Sequence, residues 1–237
     1  MKSRGIRLLI LFIAVAFVLI GRVVPLFADD NNTSVIDNMG EGNFVMHDQD
    51  DTRNSVAESI IVGDDNINII SQIGDSNEGY QSVIGLDNLQ FLFQGYTSDI
   101  NDKGDLITGK PNSGCFSCLG VQALDTVERN KQLLYQDGEM QIGIQFATNG
   151  SKNRQMMSQS GSENMAFQVI TEASDVRQAI RQDGTENTAG QSTSASATFQ
   201  WIRQVGSGNE AEQESANADA VSRILQSGNG NFASIVN

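Results

Sequence analysis

Residues 182–191 read Gln-Asp-Gly-Thr-Glu-Asn-Thr-Ala-Gly-Gln. Their core, Gln-x-Gly-x-x-Asn-x-Ala, recurs at a fixed interval. It is complete at Gln159, Gly161, Asn164 and Ala166; at Gln182, Gly184, Asn187 and Ala189; at Gln204, Gly206, Asn209 and Ala211; and at Gln226, Gly228, Asn231 and Ala233. Looser copies stand at Gln72, Gly74 and Asn77 and at Gln136 and Gly138. The starts at 136, 159, 182, 204 and 226 are 22 or 23 residues apart. A constant period in this range marks a stacked-repeat architecture.

Outward from the phrase, the chain alternates. Val176, Gln178, Ile180 and Gln182 fall on one strand face, as do Thr198, Gln200, Ile202 and Gln204, and Ala220, Ser222, Ile224 and Gln226. Met157, Leu134 and Ile70 take the isoleucine position in earlier copies. After the glycine, Asn187, Ala189 and Gln191 share a face, and Asn209, Ala211 and Gln213 repeat it. Apolar residues spaced three and four apart, which a helix requires, are missing. Each repeat therefore reads as strand, glycine turn, strand, second turn. The fold expected is all-β: a solenoid of strand-turn-strand rungs with a period of about 22, with Ile stacked on Ile, Ala letting the facing strands approach, and Gln and Asn forming side-chain amide ladders. The two prolines, Pro25 and Pro111, avoid every proposed rung.

The remaining chain divides around this array. Lys2, Arg4 and Arg7 precede an apolar run over residues 8–20, the pattern of a secretory signal, with cleavage expected after Ala28. Residues 29–59 are acidic and are expected as a flexible segment, with a degenerate rung ending at Gln49 as the alternative; 60–98 hold degenerate repeats; 99–129 are expected as an inserted loop carrying Cys115 and Cys118; 130–237 are the regular array. In an oxidising compartment Cys115 and Cys118 form a local disulfide. Two cysteines do not close a zinc site. Trp201 and Phe199 are expected on the outward face.

Aromatic residues make up only 6% of the chain, so stability must come from repetition rather than a large core. The formal charge is −14. Removing residues 1–28 takes away four of the 15 basic residues and no acidic one, which leaves −18. Such a chain does not bind nucleic acid electrostatically. The single histidine, His47, lies outside the regular repeats, which excludes a Ser-His-Asp centre on them. No enzyme activity, cofactor, metal or small-molecule substrate is expected.

These phrases resemble the curlin repeats of curli-type amyloid subunits, which add an opening Ser before the Gln and a closing Gln after the Ala. Here Val176, Thr198 and Ala220 replace the opening Ser, and Gln168, Gln191 and Gln213 come two residues early. The resemblance covers 130–237 well and 60–94 loosely. It implies a secreted structural subunit of extracellular fibres, either the major subunit or a nucleator. It also implies self-association, contact with other curli-like subunits, outer-membrane secretion and chaperone machinery, and roles in adhesion and biofilm matrix. The alternative is a monomeric secreted or surface-anchored solenoid adhesin. Under the fibre reading the C-terminal rung, residues 220–237, is one docking edge, which prolines at 224 and 235 are expected to block.

Overall fold

The computed structural model describes residues 31–50, 52–100, 106–111 and 115–237; the proposed signal lies outside them. The chain runs through β1 (Thr33–Met39), β2 (Phe44–Asp50), β3 (Val56–Val62), β4 (Ile67–Ile73), β5 (Glu78–Leu86) and β6 (Leu89–Gln94). It continues through β7 (Tyr96–Ile100), β8 (Leu106–Pro111), β9 (Cys115–Phe116), β10 (Leu119–Glu128), β11 (Lys131–Glu139), β12 (Ile142–Thr148) and β13 (Arg154–Ser162). Then follow β14 (Met165–Thr171), β15 (Arg177–Thr185), β16 (Thr188–Thr193), β17 (Phe199–Ser207), β18 (Glu210–Ser215), β19 (Val221–Ser227) and β20 (Phe232–Val236).

The strands form a β-solenoid of about eight turns. Sheet I is β1-β3-β5-β10-β12-β14-β16-β18-β20 and sheet II is β2-β4-β6-β11-β13-β15-β17-β19, every neighbouring pair parallel. The chain passes from one sheet to the other at every turn, so each strand pairs with its counterpart one rung away. The register follows the repeat: Gln182 lies between Gln159 and Gln204, and Ile180 between Met157 and Ile202.

The interior is a set of columns. His47, Ile70, Leu92, Leu134, Met157, Ile180, Ile202 and Ile224 stack in sheet II. Opposite them in sheet I stand small residues only, such as Ala166, Ala189 and Ala211 against the isoleucines. Where the column holds leucine the small residue becomes glycine. A Cβ on Gly120 would collide with the Leu92 side chain, and one on Gly143 with that of Leu134. Large and small residues thus trade volume across a core one side chain deep.

Two expected boundaries are corrected. Residues 33–50 are not a flexible segment but form β1 and β2 of the first rung, the alternative expected at Gln49, which stands beside Gln72; their alternation is continuous with the later rungs. The excursion is also narrower than 99–129. Gln94 and Gln136 neighbour one another at a separation of 42 positions, where Gln72 and Gln94 are separated by 22. The extra stretch holds the antiparallel β7–β8 hairpin and its flanks, and β9 and β10 are back in the stack. β7 packs against β11 and β13. Outward-facing Leu133, Tyr135, Met156, Ala179 and Trp201 form a second apolar cluster on this side, flanked by Phe91, Phe93 and Phe199. Trp201, expected to be exposed, is only 1% exposed.

Candidate functional site: amide ladders, their ends and the interrupted turn

Stacking identical glutamines one strand spacing apart puts each amide N–H₂ against the next carboxamide oxygen. Three such ladders run inside the solenoid. In the first, Gln49 donates to Gln72, then in turn Gln94, Gln136, Gln159, Gln182, Gln204 and Gln226 accept, at 2.7–3.1 Å. The second runs Asn68, Gln90, Gln132, Gln155, Gln178, Gln200. The third, in sheet I, runs Gln81, Gln122, Gln145, Gln168, Gln191, Gln213. In every step Nε2 or Nδ2 donates to the Oε1 of the next rung, so all three ladders point the same way. The second amide hydrogen crosses the core to a backbone carbonyl: Gln182 donates to Met165 O, Gln191 to Ala179 O and Gln178 to Val169 O. Apart from Asn68 Oδ1, which heads the second ladder with no rung amide before it, the buried ladder amides satisfy one another and tie the two sheets together.

The turns carry their own ladder. Gly184 has φ +130°, and a Cβ there would overlap the carbonyl oxygen of Gly206; Gly74, Gly138, Gly161 and Gly206 are similarly placed, each against the next rung. Glycine is required by both conformation and contact. Asn187 then bridges rungs: its Nδ2 donates to Gly206 O (2.9 Å) and to Asn164 Oδ1 (3.0 Å), and its Oδ1 accepts from the Asn209 N–H (3.1 Å). Asn209 and Asn231 repeat this contact. On the opposite edge Asn43, Asn66, Asn88, Asn130 and Asn153 make a second asparagine ladder. The sequence reading misses it, although the spacing of the repeat is there.

Cys115 and Cys118 lie in this turn column. Cys115 pairs with Gly138 and takes the glycine place; Cys118 takes the asparagine place. Ser117, with φ 56°, matches Ser76, Glu163 and Glu186 at 60°, 57° and 57°. The Cys118 N–H donates to Asn77 Oδ1, and Asn77 Nδ2 donates to Cys115 O. A buried disulfide joins the pair, with Cα atoms 5.9 Å apart. The expectation that the pair lies in a loop outside the rungs is thus corrected: the bond closes the turn where the chain returns from its excursion.

His47 caps the apolar column on β2. Its Nδ1 and Nε2 lie 2.8 Å from Ser34 Oγ and Ser59 Oγ. Burial lowers its pKa to about 4. Burial likewise raises that of Tyr135, stacked on Phe93, to about 12. Among the described residues no group of three His, Cys, Asp or Glu could hold a metal ion.

Comparison with family models, curated proteins and solved structures finds no match.

The ends of the ladders differ from their middles. In sheet I the glutamine column meets Ser59 and then Ile36 on β1, and ends in Ile235 on β20. The backbone edges are polar rows. Phe199 N donates to Ala220 O and Glu210 N to Asn231 O. Amides alternate in direction along a strand, so residues 222, 224 and 226 and residues 233 and 235 face the previous rung, while 221, 223, 225, 232, 234 and 236 face outward. Prolines at 224 and 235 would therefore damage the inner ladder rather than the free edge.

Proposed function

We propose that the chain is a secreted structural subunit that stacks end to end into curli-like extracellular amyloid fibres supporting surface adhesion and biofilm matrix. The observation that carries this reading is the polarity of the amide ladders. The first ladder leads from Gln49 on the first rung to Gln226 on the last sheet II strand, and every donor points toward the C-terminal end. A second copy stacked head to tail extends parallel sheets and ladders in the same sense; a head-to-head copy opposes them. Exposed edge strands template such addition. In the head-to-tail join β20 faces the next copy's β1, which sets Ile235 over Ile36, the two positions where isoleucine replaces glutamine in that column. Ile36 is 50% exposed in the single chain. Among the described residues the stacked path of sheet I has nine strands and that of sheet II eight, with β9 beside β11 off that path, so this join leaves room for one further sheet II strand between β19 and the next copy's β2.

By the resemblance to curlin repeats, the basic and apolar segment 1–28 acts as a secretion signal, and the chain crosses the outer membrane unfolded with help from chaperone machinery. The disulfide suits an oxidising destination. The reading is tested by placing proline on outward-facing amides, Leu225→Pro with Ser234→Pro, which edge strands tolerate. Seeded growth should slow sharply while the single chain keeps its β-structure. Elongation at the parent rate would refute docking at this edge. A folded chain that stays monomeric at high concentration would favour the adhesin instead.

A further inference from the structure

The two outer faces of the solenoid differ in charge, most sharply toward the C-terminal end. The nine strands of sheet I contain no lysine or arginine. Those of sheet II contain six, Lys131, Arg154, Arg177, Arg181, Arg203 and Arg223, beside the acidic Asp48, Asp50, Asp137, Glu139 and Asp183; on β15, β17 and β19 the balance is four arginines to Asp183 alone. This separation is invisible in the overall charge of −14.

Sheet I also carries an apolar block. Ile142, Ile144 and Phe146 on β12 lie beside Met165, Phe167 and Val169 on β14, all outward and half-buried, and β10 extends the block with Leu119, Val121 and Ala123. Continuing across the sheet, β16 offers Thr188, Gly190 and Ser192, and β18 then presents Glu210, Glu212 and Glu214 in the same three columns. A Cβ on Gly190 would touch nothing within 4 Å, so the face is open there. On sheet II the corresponding level of the stack is basic and apolar. Arg177, Arg203 and Arg223 are exposed, and Val221 and Leu225 are 67% and 68% exposed. Arg223 sits over the Phe199 ring, 5.5 Å from its centre.

We infer that the sheet I face of one solenoid docks on the sheet II face of a second copy lying beside it, parallel to it. Charge decides the pairing. Sheet I on sheet I would oppose Asp and Glu with no cation on either side, and sheet II on sheet II would set Arg177, Arg181, Arg203 and Arg223 of β15, β17 and β19, with Asp183 as the one carboxylate on those strands, against the same four arginines of the second copy. Only the mixed contact is complementary. A sideways translation with the stack axes parallel brings β18 of one copy over β17 and β19 of its neighbour, setting Glu212 and Glu214 against Arg203 and Arg223. The contact is heterologous, because it uses two different patches, so it does not close. Each docked pair keeps one free sheet I face and one free sheet II face, and the product is a flat lateral array. This contact is separate from the end-to-end join: it uses outward side chains and no edge amide.

The test uses the chain without residues 1–28 and two charge-reversed variants, Glu212→Lys with Glu214→Lys, and Arg203→Glu with Arg223→Glu. All four positions point away from the core, and circular dichroism checks that each variant is folded. Lateral association is read as sedimentation of the soluble chain and as bundle width by electron microscopy; seeded elongation is read separately. Each variant alone should associate sideways about tenfold less tightly at low salt. An equimolar mixture of the two should recover association, and raising salt from about 0.05 to about 0.5 M should weaken the parent contact. Stronger lateral association of the Glu212→Lys/Glu214→Lys variant would mean that sheet I packs on sheet I and would overturn the proposal. So would parent-like association of either variant, or a mixture no better than its components. Loss of elongation with lateral association intact would count against the fibre reading and leave this contact standing.

Discussion

The turns at 184–187 and 115–118 occupy the same place in the rung, yet they are closed by different forces. In the first, a glycine accepts the tight approach of the next rung and an asparagine bonds to both neighbours. In the second, the chain has just returned from its excursion, both motif residues are cysteine, and a covalent bond replaces the side-chain amide. The strands on either side keep their register, with Gln94 bonded to Gln136 at 3.0 Å as in any uninterrupted rung. A rung is therefore specified by its columns, each residue held by its counterparts above and below, rather than by chain continuity. The turn only has to return the chain at the right height.

If columns dominate, the largest effect should come from breaking one. Ile202 is fully buried between Ile180 and Ile224, and aspartate there should cost several kcal/mol in urea unfolding. Aspartate at the neighbouring outward Arg203 should change stability by less than about 1 kcal/mol. Equal effects would mean that the interior is not organised in columns.

Next, the glycine turn should be less forgiving than the cysteine turn. Gly184→Ala combines φ +130° with a Cβ that overlaps the next carbonyl and should cost about 2 kcal/mol or more. The double change Cys115→Gly with Cys118→Asn installs the repeat's own turn and should restore amide bonds in place of the disulfide. Replacing both cysteines by serine should cost about 2 kcal/mol, the order expected for closing so short a loop. The Gly/Asn variant should recover most of that, measured by thermal unfolding under oxidising conditions. An unchanged midpoint in the Ser/Ser variant would show that the turn is held by its neighbours alone.

The smallest effect concerns the first rung. His47 stands where later rungs have isoleucine, leucine or methionine, and burial lowers its pKa from 6.5 to about 4. The fold favours the neutral ring, so the unfolded chain binds more protons between those values. The stabilisation is complete above about pH 6.5 and is lost as pH falls toward 4. His47→Ile should remove that part of the pH dependence, seen as a flatter stability profile for the variant between about pH 4.5 and 7. Parallel profiles for parent and variant would contradict the assignment.

Much of this was legible in residues 159–233, where the period, the strand faces, the isoleucine column and the glutamine ladder follow from alternation and spacing alone. The losses have physical causes. The first rung is legible only at Gln49, because its other columns are filled by His47, Ser34 and Ile36, which keep the geometry but not the residue types. The role of Cys115 and Cys118 is hidden because an insertion moves them out of phase with the repeat, and only three-dimensional register brings them back beside Gly138 and Gln141. The burial of Trp201 depends on apolar residues from β6, β11, β13 and β15, gathered on a face that alternation alone marks as outward.

The stacked-rung account is tested most directly by oriented fibre diffraction of the chain lacking residues 1–28. It predicts a strong reflection along the fibre axis at about 4.7–4.8 Å and one across it at about 10 Å. The axial reflection should persist when the disulfide between Cys115 and Cys118 is reduced, because the columns survive the loss of one turn closure. Fibres whose strands run along the axis, or a preparation that yields no ordered fibre under any condition in which the solenoid is folded, would contradict it.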